Sequence, residues 1–127
     1  MQFLFVSVFG CLLLHNWSSS SLKPTTKFFW LEVSTALQKF IVADVYRHRG
    51  QCVNKFAGLC EELLEMVKKT KLPCPIAGDF NIDLMKYGMH TATNKYMDNL
   101  LLQNFFPTTF VPTRLALDTA TVIDHVY

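Results

Sequence analysis

At 127 residues the chain is one domain or part of one. Half of its residues are hydrophobic and eleven are Phe, enough material for a packed core. The net charge of +2 excludes nucleic-acid binding by bulk electrostatics, so any such footprint must be local.

Phe3 to Leu14 is an uncharged apolar run, followed by His15-Asn16-Trp17 and four serines. It is far shorter than the ~20 residues needed to cross a bilayer, so no transmembrane span is expected. A signal-peptide core could have this length, and Asn16-Trp17-Ser18 would then be a glycosylation acceptor in a secreted chain. No Lys or Arg precedes the run and no small-x-small cleavage site follows it, which favours instead an upstream Met joined to an interrupted coding region. Residues 1–27 are set apart as an apolar segment and Ser-rich linker, and residues 28–127 form the domain.

Phe28 to Val33 is apolar nearly throughout and reads as a strand covered on both sides. Gln38 to Tyr46 is a second strand with Phe40, Val42 and Tyr46 on one face, joined to the first as an antiparallel hairpin. Arg47, His48 and Arg49 follow and are the best local cationic cluster. Phe56, Leu59, Cys60, Leu63, Leu64 and Val67 recur at helical spacing, which predicts a helix of four to five turns capped by Asn54. Lys68, Lys69 and Lys71 suit its negative end, Pro73 and Pro75 end it, and Glu61, Glu62 and Glu65 are its solvated face. A strand from Cys74 to Asp79 comes next, then a loop to Ala92. A second helix is expected from a Thr93 cap through Gln103, burying Tyr96, Leu100 and Leu101. Phe105, Phe106 and Phe110 pack the return, and Thr121 to Tyr127 is the last strand. This order reads as α/β, a sheet with helices outside it.

None of the four cysteines forms a Cys-x-x-Cys pair, and no His lies at finger spacing, so a zinc site is not expected. Cys60 and Cys74 read as buried small hydrophobes, and a reducing nuclear or cytoplasmic setting fits them.

Gly78-Asp79-Phe80-Asn81 is the most informative stretch. An apolar strand runs straight into a carboxylate and a carboxamide. On an extended chain Asp79 and Asn81 share a face while Phe80 turns to the core, and Gly78 leaves room for close approach. Thr121 to Tyr127 repeats the design with Asp124. Two strand-borne acids with an amide beside one of them point to metal-assisted phosphodiester chemistry.

These residues, with Val45-Tyr46-Arg47-His48, Asn94 to Leu101 and Pro112-Thr113-Arg114, resemble the endonuclease/exonuclease/phosphatase superfamily. The likeness is closest to the apurinic-type endonuclease domain of non-LTR (LINE-like) retrotransposons, and it covers Phe28 to Tyr127. It implies a deoxyribonuclease-I-like four-layered α/β sandwich, DNA as partner and Mg²⁺ as cofactor. It implies that Asp79 orients or deprotonates water, that Asn81 and Tyr46 contact the phosphate, and that Asp124 orients a histidine. By the same likeness Arg47, Thr113 and Arg114 face nucleic acid. The superfamily's metal-binding Glu and its Asn partner lie on strands preceding the matched region, and its catalytic His follows the strand of Asp124. His125 is expected to face away from the site. Such sandwiches run to about 200–250 residues, so a partial domain lacking one flank at each end is expected, retrotransposon-derived and inactive alone. Open sheet edges would then favour self-association or a sheet-completing partner. A non-catalytic nucleic-acid-binding module and a small secreted α/β protein are the alternatives.

Overall fold

The computed structural model describes Phe5–Ser7, Cys11–Leu12 and residues 26–127. Strand β1 (Phe5–Ser7) and strand β2 (Cys11–Leu12) both pair antiparallel with β3 (Thr26–Ser34), which begins inside the stretch set apart as linker. The other readings of the N-terminal segment fall outside the described residues. Strand β4 (Lys39–Arg47) returns beside β3 over its full length, from Thr26↔Arg47 to Ser34↔Lys39. Thr35 makes the turn tight, its hydroxyl accepting from the N–H of Gln38 and donating to the Gln38 carbonyl.

Helix α1 (Val53–Thr70) carries the chain to β5 (Ile76–Asp79), which lies parallel to β4. A crossover of this length is what parallel pairing requires. The helical spacing predicted its inner face, since Phe56, Cys60, Leu63, Leu64 and Val67 are all buried; Ala57 joins them and Leu59 is at the margin. The N-cap is Cys52 and not Asn54, which lies within the first turn. A 3-10 turn (Leu84–Lys86) interrupts the next loop, and Ile82 just before it is buried. Helix α2 (Thr91–Leu102) follows, capped at His90; Thr93 is a buried residue of its first turn. Tyr96, Met97 and Leu100 carry its buried face, with Leu101 only partly covered.

The return differs from expectation. Phe105 packs on the core, whereas Phe106 and Phe110 are exposed. The expected final strand is two strands: β7 (Thr119–Thr121) pairs with β6 (Arg114–Ala116) in a separate hairpin, and β8 (Asp124–Val126) pairs antiparallel with β5. Thr108 donates its N–H (2.7 Å) and its hydroxyl (3.0 Å) to the Val126 carbonyl, closing part of the outer edge of β8.

The sheet order is β1-β3-β4-β5-β8, with β2 also on β3. Phe28, Ala43, Val45 and Ile76 lead its buried face, against α1, α2 and the Phe80–Ile82 segment. The first half of strand β3 therefore alternates and is not covered on both sides: Phe28 is buried, while Lys27 and Phe29 are exposed on the other face; further along, Val33 on that same face is buried.

Phe28, Val45, Gly78 and His125 stand in one row across four strands. Gly78 has φ +147°, and a Cβ there would lie 1.9 Å from the carbonyl oxygen of Val45. No side chain fits that approach. Gly78→Ala is expected to destabilise the fold by about 3 kcal/mol or to prevent folding. Urea denaturation showing a loss under about 1 kcal/mol would contradict this close pairing.

Candidate active site

Alternation along β4 decides which side chains face the helices and which face the opposite side. Ala43, Val45 and Arg47 point inward, so Tyr46 points outward and is 39% exposed. In the parallel register Tyr46 is opposite Asp79, and in the antiparallel register Asp79 is opposite Asp124. Tyr46, Asp79 and Asp124 are thus consecutive members of one cross-strand row at the C-terminal ends of β4 and β5. Directly opposed residues share a face, with Cβ atoms about 5 Å apart. Like charges directly opposed are destabilising, so the Asp79–Asp124 pair adds nothing to folding.

Asn81 arrives differently from the expectation of simple alternation. It lies beyond β5 with φ +49°, and its backbone N–H donates to Asp79 Oδ1 at 3.0 Å. Asn tolerates this left-handed conformation better than most residues. Its side-chain Nδ2 donates to the Arg47 carbonyl at 2.8 Å. One amide proton of Asn81 is therefore committed to holding the end of β5 against the end of β4, which leaves Oδ1 and the second proton for other partners.

Arg47 does not face nucleic acid. It is 2% exposed, its Nε donates to the Phe80 carbonyl at 2.6 Å, and its two terminal nitrogens donate to the carbonyls of Gln51 and Asn81. The guanidinium also lies over the Phe56 ring, 5.8 Å from its centroid. Burial pulls its pKa below the ordinary value, and the nearby Tyr96 and Asp79 work in the opposite direction. The signal for this was available: Ala43 and Val45 at alternate positions place Arg47 on the buried face.

Thr113 is likewise structural. Its hydroxyl accepts from the N–H groups of Ile123 (3.2 Å) and Asp124 (3.1 Å), which fixes where β8 begins. Asp83 does the same one step away, with Oδ1 accepting from Met85 N–H and Val122 N–H. Arg114, like the exposed Thr113 beside it, stays outward. With Arg49, Asn81, Thr119, Thr121 and Ile123 it lines an open cleft of about 430 Å³ beneath the β6–β7 hairpin.

His125 points away from the row, as alternation predicts. Its ring stacks on Phe80 with centroids 4.7 Å apart. Nε2 lies 2.8 Å from the Ile82 carbonyl and 3.1 Å from that of Val122, which makes it the N–H donor. Nδ1 is then an acceptor, 2.9 Å from the Tyr127 hydroxyl, itself 3.0 Å from that of Tyr96. This buried chain was not foreseen, because it joins α2 to β8. Burial lowers the pKa of His125 and raises those of Tyr96 and Tyr127.

No protein-family model matches the chain, and no curated protein sequence does. Solved structures do. The endonuclease domain of TRAS1, a telomere-specific non-LTR retrotransposon, superposes with a TM-score of 0.62 at 13% identity, over 78% of this chain and 48% of that domain. An endonuclease/exonuclease/phosphatase family protein from Bacteroides thetaiotaomicron superposes with a TM-score of 0.61 at 14% identity, over 95% of this chain and 49% of its own. The fold is that of the endonuclease/exonuclease/phosphatase proteins. The chain spans about half the length of each of these two structures.

Mg²⁺ prefers near-octahedral oxygen coordination. Among the described residues no three His, Cys, Asp or Glu side chains converge on a point that could hold a metal. Asp44 shares the face with Asp79 and Asp124, one residue pair further along the strands, and does not complete a set. Among the described residues, no helix is long and apolar enough to cross a membrane.

Two outcomes test this geometry. Arg47→Met strips three carbonyls of their donors and should cost about 3–5 kcal/mol in urea denaturation, independent of salt; a loss under about 1 kcal/mol would mean that the guanidinium anchors nothing. His125 is held neutral, so below pH ~6.5 the unfolded chain takes up the proton first. Stability should therefore be full above pH ~6.5, fall by up to about 1.4 kcal/mol per pH unit below it, and level off under the folded-state pKa. His125→Gln should remove that limb of a denaturation series run from pH 7.5 to about 5.

Proposed function

We propose that this chain carries part of the active site of an endonuclease that hydrolyses phosphodiester bonds in DNA, akin to retrotransposon endonuclease domains. The observation that carries the reading is the in-register row of Tyr46, Asp79 and Asp124, open on the face away from the helices. A structural sheet gains nothing by opposing two carboxylates, whereas hydrolysis needs a base, a phosphate ligand and an orienting acid in one place. The fold adds support.

In this reading Asp79 orients and deprotonates the attacking water, and its Oδ1 is held in place by the Asn81 N–H. The Tyr46 hydroxyl and the free amide proton of Asn81 donate to phosphoryl oxygens. Asp124, its backbone fixed by Thr113, orients an imidazole that protonates the leaving oxygen. His125 is not that imidazole, because both ring nitrogens are committed in the core. Arg49 and Arg114 supply the local positive potential that the net charge lacks. The likeness implies Mg²⁺, which is ordinarily held through one or two carboxylates together with waters and substrate phosphates.

One observation favours a second reading, a nucleic-acid-binding module without catalysis: His125, the imidazole adjoining Asp124, has both ring nitrogens committed in the core. The two readings part in a nicking assay. Residues 26–127 substituted for the matched half of the TRAS1 endonuclease domain should nick supercoiled plasmid with Mg²⁺, and Asp79→Asn should lower the rate by ~10²–10⁴-fold. A folded chimera that binds DNA and never nicks it would favour the binding module. The 127-residue chain alone is expected to nick no faster than its Asp79→Asn variant. Nicking by the chain alone that this substitution stops would mean that the described groups already suffice.

A further inference from the structure

The register that aligns Tyr46, Asp79 and Asp124 does not stop at β4. Lys27 on β3 is directly opposite Tyr46, so the row reads Lys27, Tyr46, Asp79, Asp124 across four adjacent strands. Opposed residues share a face, and Lys27 is exposed there, on the side away from the helices. Its backbone is fixed on both sides. Thr26 is buried, and its hydroxyl donates to the Gln51 side chain, whose backbone carbonyl accepts from Arg47. Phe28 is buried and stacks on Phe56, with ring centroids 6.3 Å apart. An exposed ammonium is thus presented from two buried anchors, one of which belongs to the same hydrogen-bonded assembly that sets Phe80 and Asn81.

Charge along the row is ordered. The cation stands at one end, the hydroxyl next, the two carboxylates at the other end. Among the described residues, an anionic polymer crossing the strands along this row meets attraction at the Lys27 end and at the arginines of the β6–β7 cleft, with the acids between them. Two strand spacings of about 4.8 Å separate Lys27 from Asp79 at the backbone. The flexible four-carbon stem of Lys27 can cover much of that span, so its ammonium is available on the Tyr46 side of Asp79.

Resting on the nuclease reading, we infer that Lys27 is a binding residue of the same site, which contacts a nucleic-acid phosphate on the Tyr46 side of Asp79. It thereby fixes the line along which the strand crosses the sheet.

The test is anisotropy titration of a short fluorescein-labelled DNA duplex with the 127-residue chain at several KCl concentrations. A lysine that neutralises one phosphate contributes ~0.9 to the slope of log K against log salt. Lys27→Met should weaken binding to unrelated sequences alike and reduce the slope by ~0.9, while Lys27→Arg should keep both. Lys69→Met, on the last turn of α1, should change neither. A Lys27→Met chain whose slope is unchanged overturns the inference and leaves the nuclease reading standing. A Lys69→Met chain that loses as much slope as Lys27→Met also overturns it, since the attraction would then be non-local. A wild-type chain that binds no duplex at any salt sinks the inference together with the nuclease reading.

Discussion

Arg47 leaves β4 on the face opposite Tyr46, and its guanidinium reaches three backbone carbonyls from two separate parts of the chain. Phe80 and Asn81 belong to the end of β5, and Gln51 to the loop before α1. Through the Gln51 side chain the same assembly takes in Thr26 at the start of β3. Burying a cation is expensive unless its donors are satisfied. Here three donor nitrogens are used, a ring face covers the charge, and the carbonyls would otherwise be unpaired in the interior. Everything on the outer face inherits its position from this inner one. Tyr46 precedes Arg47, Asp79 precedes the clamped Phe80, and Lys27 follows the clamped Thr26.

A second polar structure lies under the other end of the row. His125 stacks on Phe80 and passes its hydrogen bonds to Tyr127 and Tyr96, so Phe80 is held between a guanidinium clamp at its carbonyl and an imidazole at its ring. No buried side-chain polar atom among the described residues lacks a partner. A fully satisfied network of this kind favours one arrangement over its neighbours. That matters for the outer carboxylates, which repel one another and are anchored only by the single hydrogen bond that Asp79 accepts from the Asn81 N–H.

How much of this was legible in the sequence follows from the range of each signal. The inner face of α1 could be read because its period is local and its packing needs only a sheet to lie against. The turning away of His125 could be read from alternation, which is also local, whereas the alignment of Tyr46 with Asp79 needs the register between strands. Alternation gives parity without saying which face a helix covers, so β3 was taken as covered on both sides and Arg47 as outward. The apolar neighbours Ala43 and Val45 carried the correction. Asn81 departs from alternation because a left-handed residue ends β5, and the Thr113 hydroxyl caps β8 from eleven positions upstream. Neither could be found from spacing, since each depends on a partner that only the folded chain brings near. The β6–β7 hairpin was missed because its strands are short, exposed and without an apolar stripe.

The register is the link between these local facts and the chemistry. Each strand contributes one outward residue to the row, and a slip of one position would turn that residue into the core. Three features forbid the slip. Gly78 accepts the Val45 carbonyl at a distance no side chain permits, Arg47 ties the ends of β4 and β5, and Thr113 sets the first residue of β8. All three act at the same end of the sheet as the row. The opposite end has apolar pairs such as Val33 and Phe40 in register, which bury area and are indifferent to the identity of their neighbours. Specific, directional contacts are concentrated where side chains must be placed to within an ångström, and non-directional burial serves elsewhere. A sheet built only for stability has no reason for that asymmetry; a sheet that must hold two acids and a hydroxyl in one fixed row does.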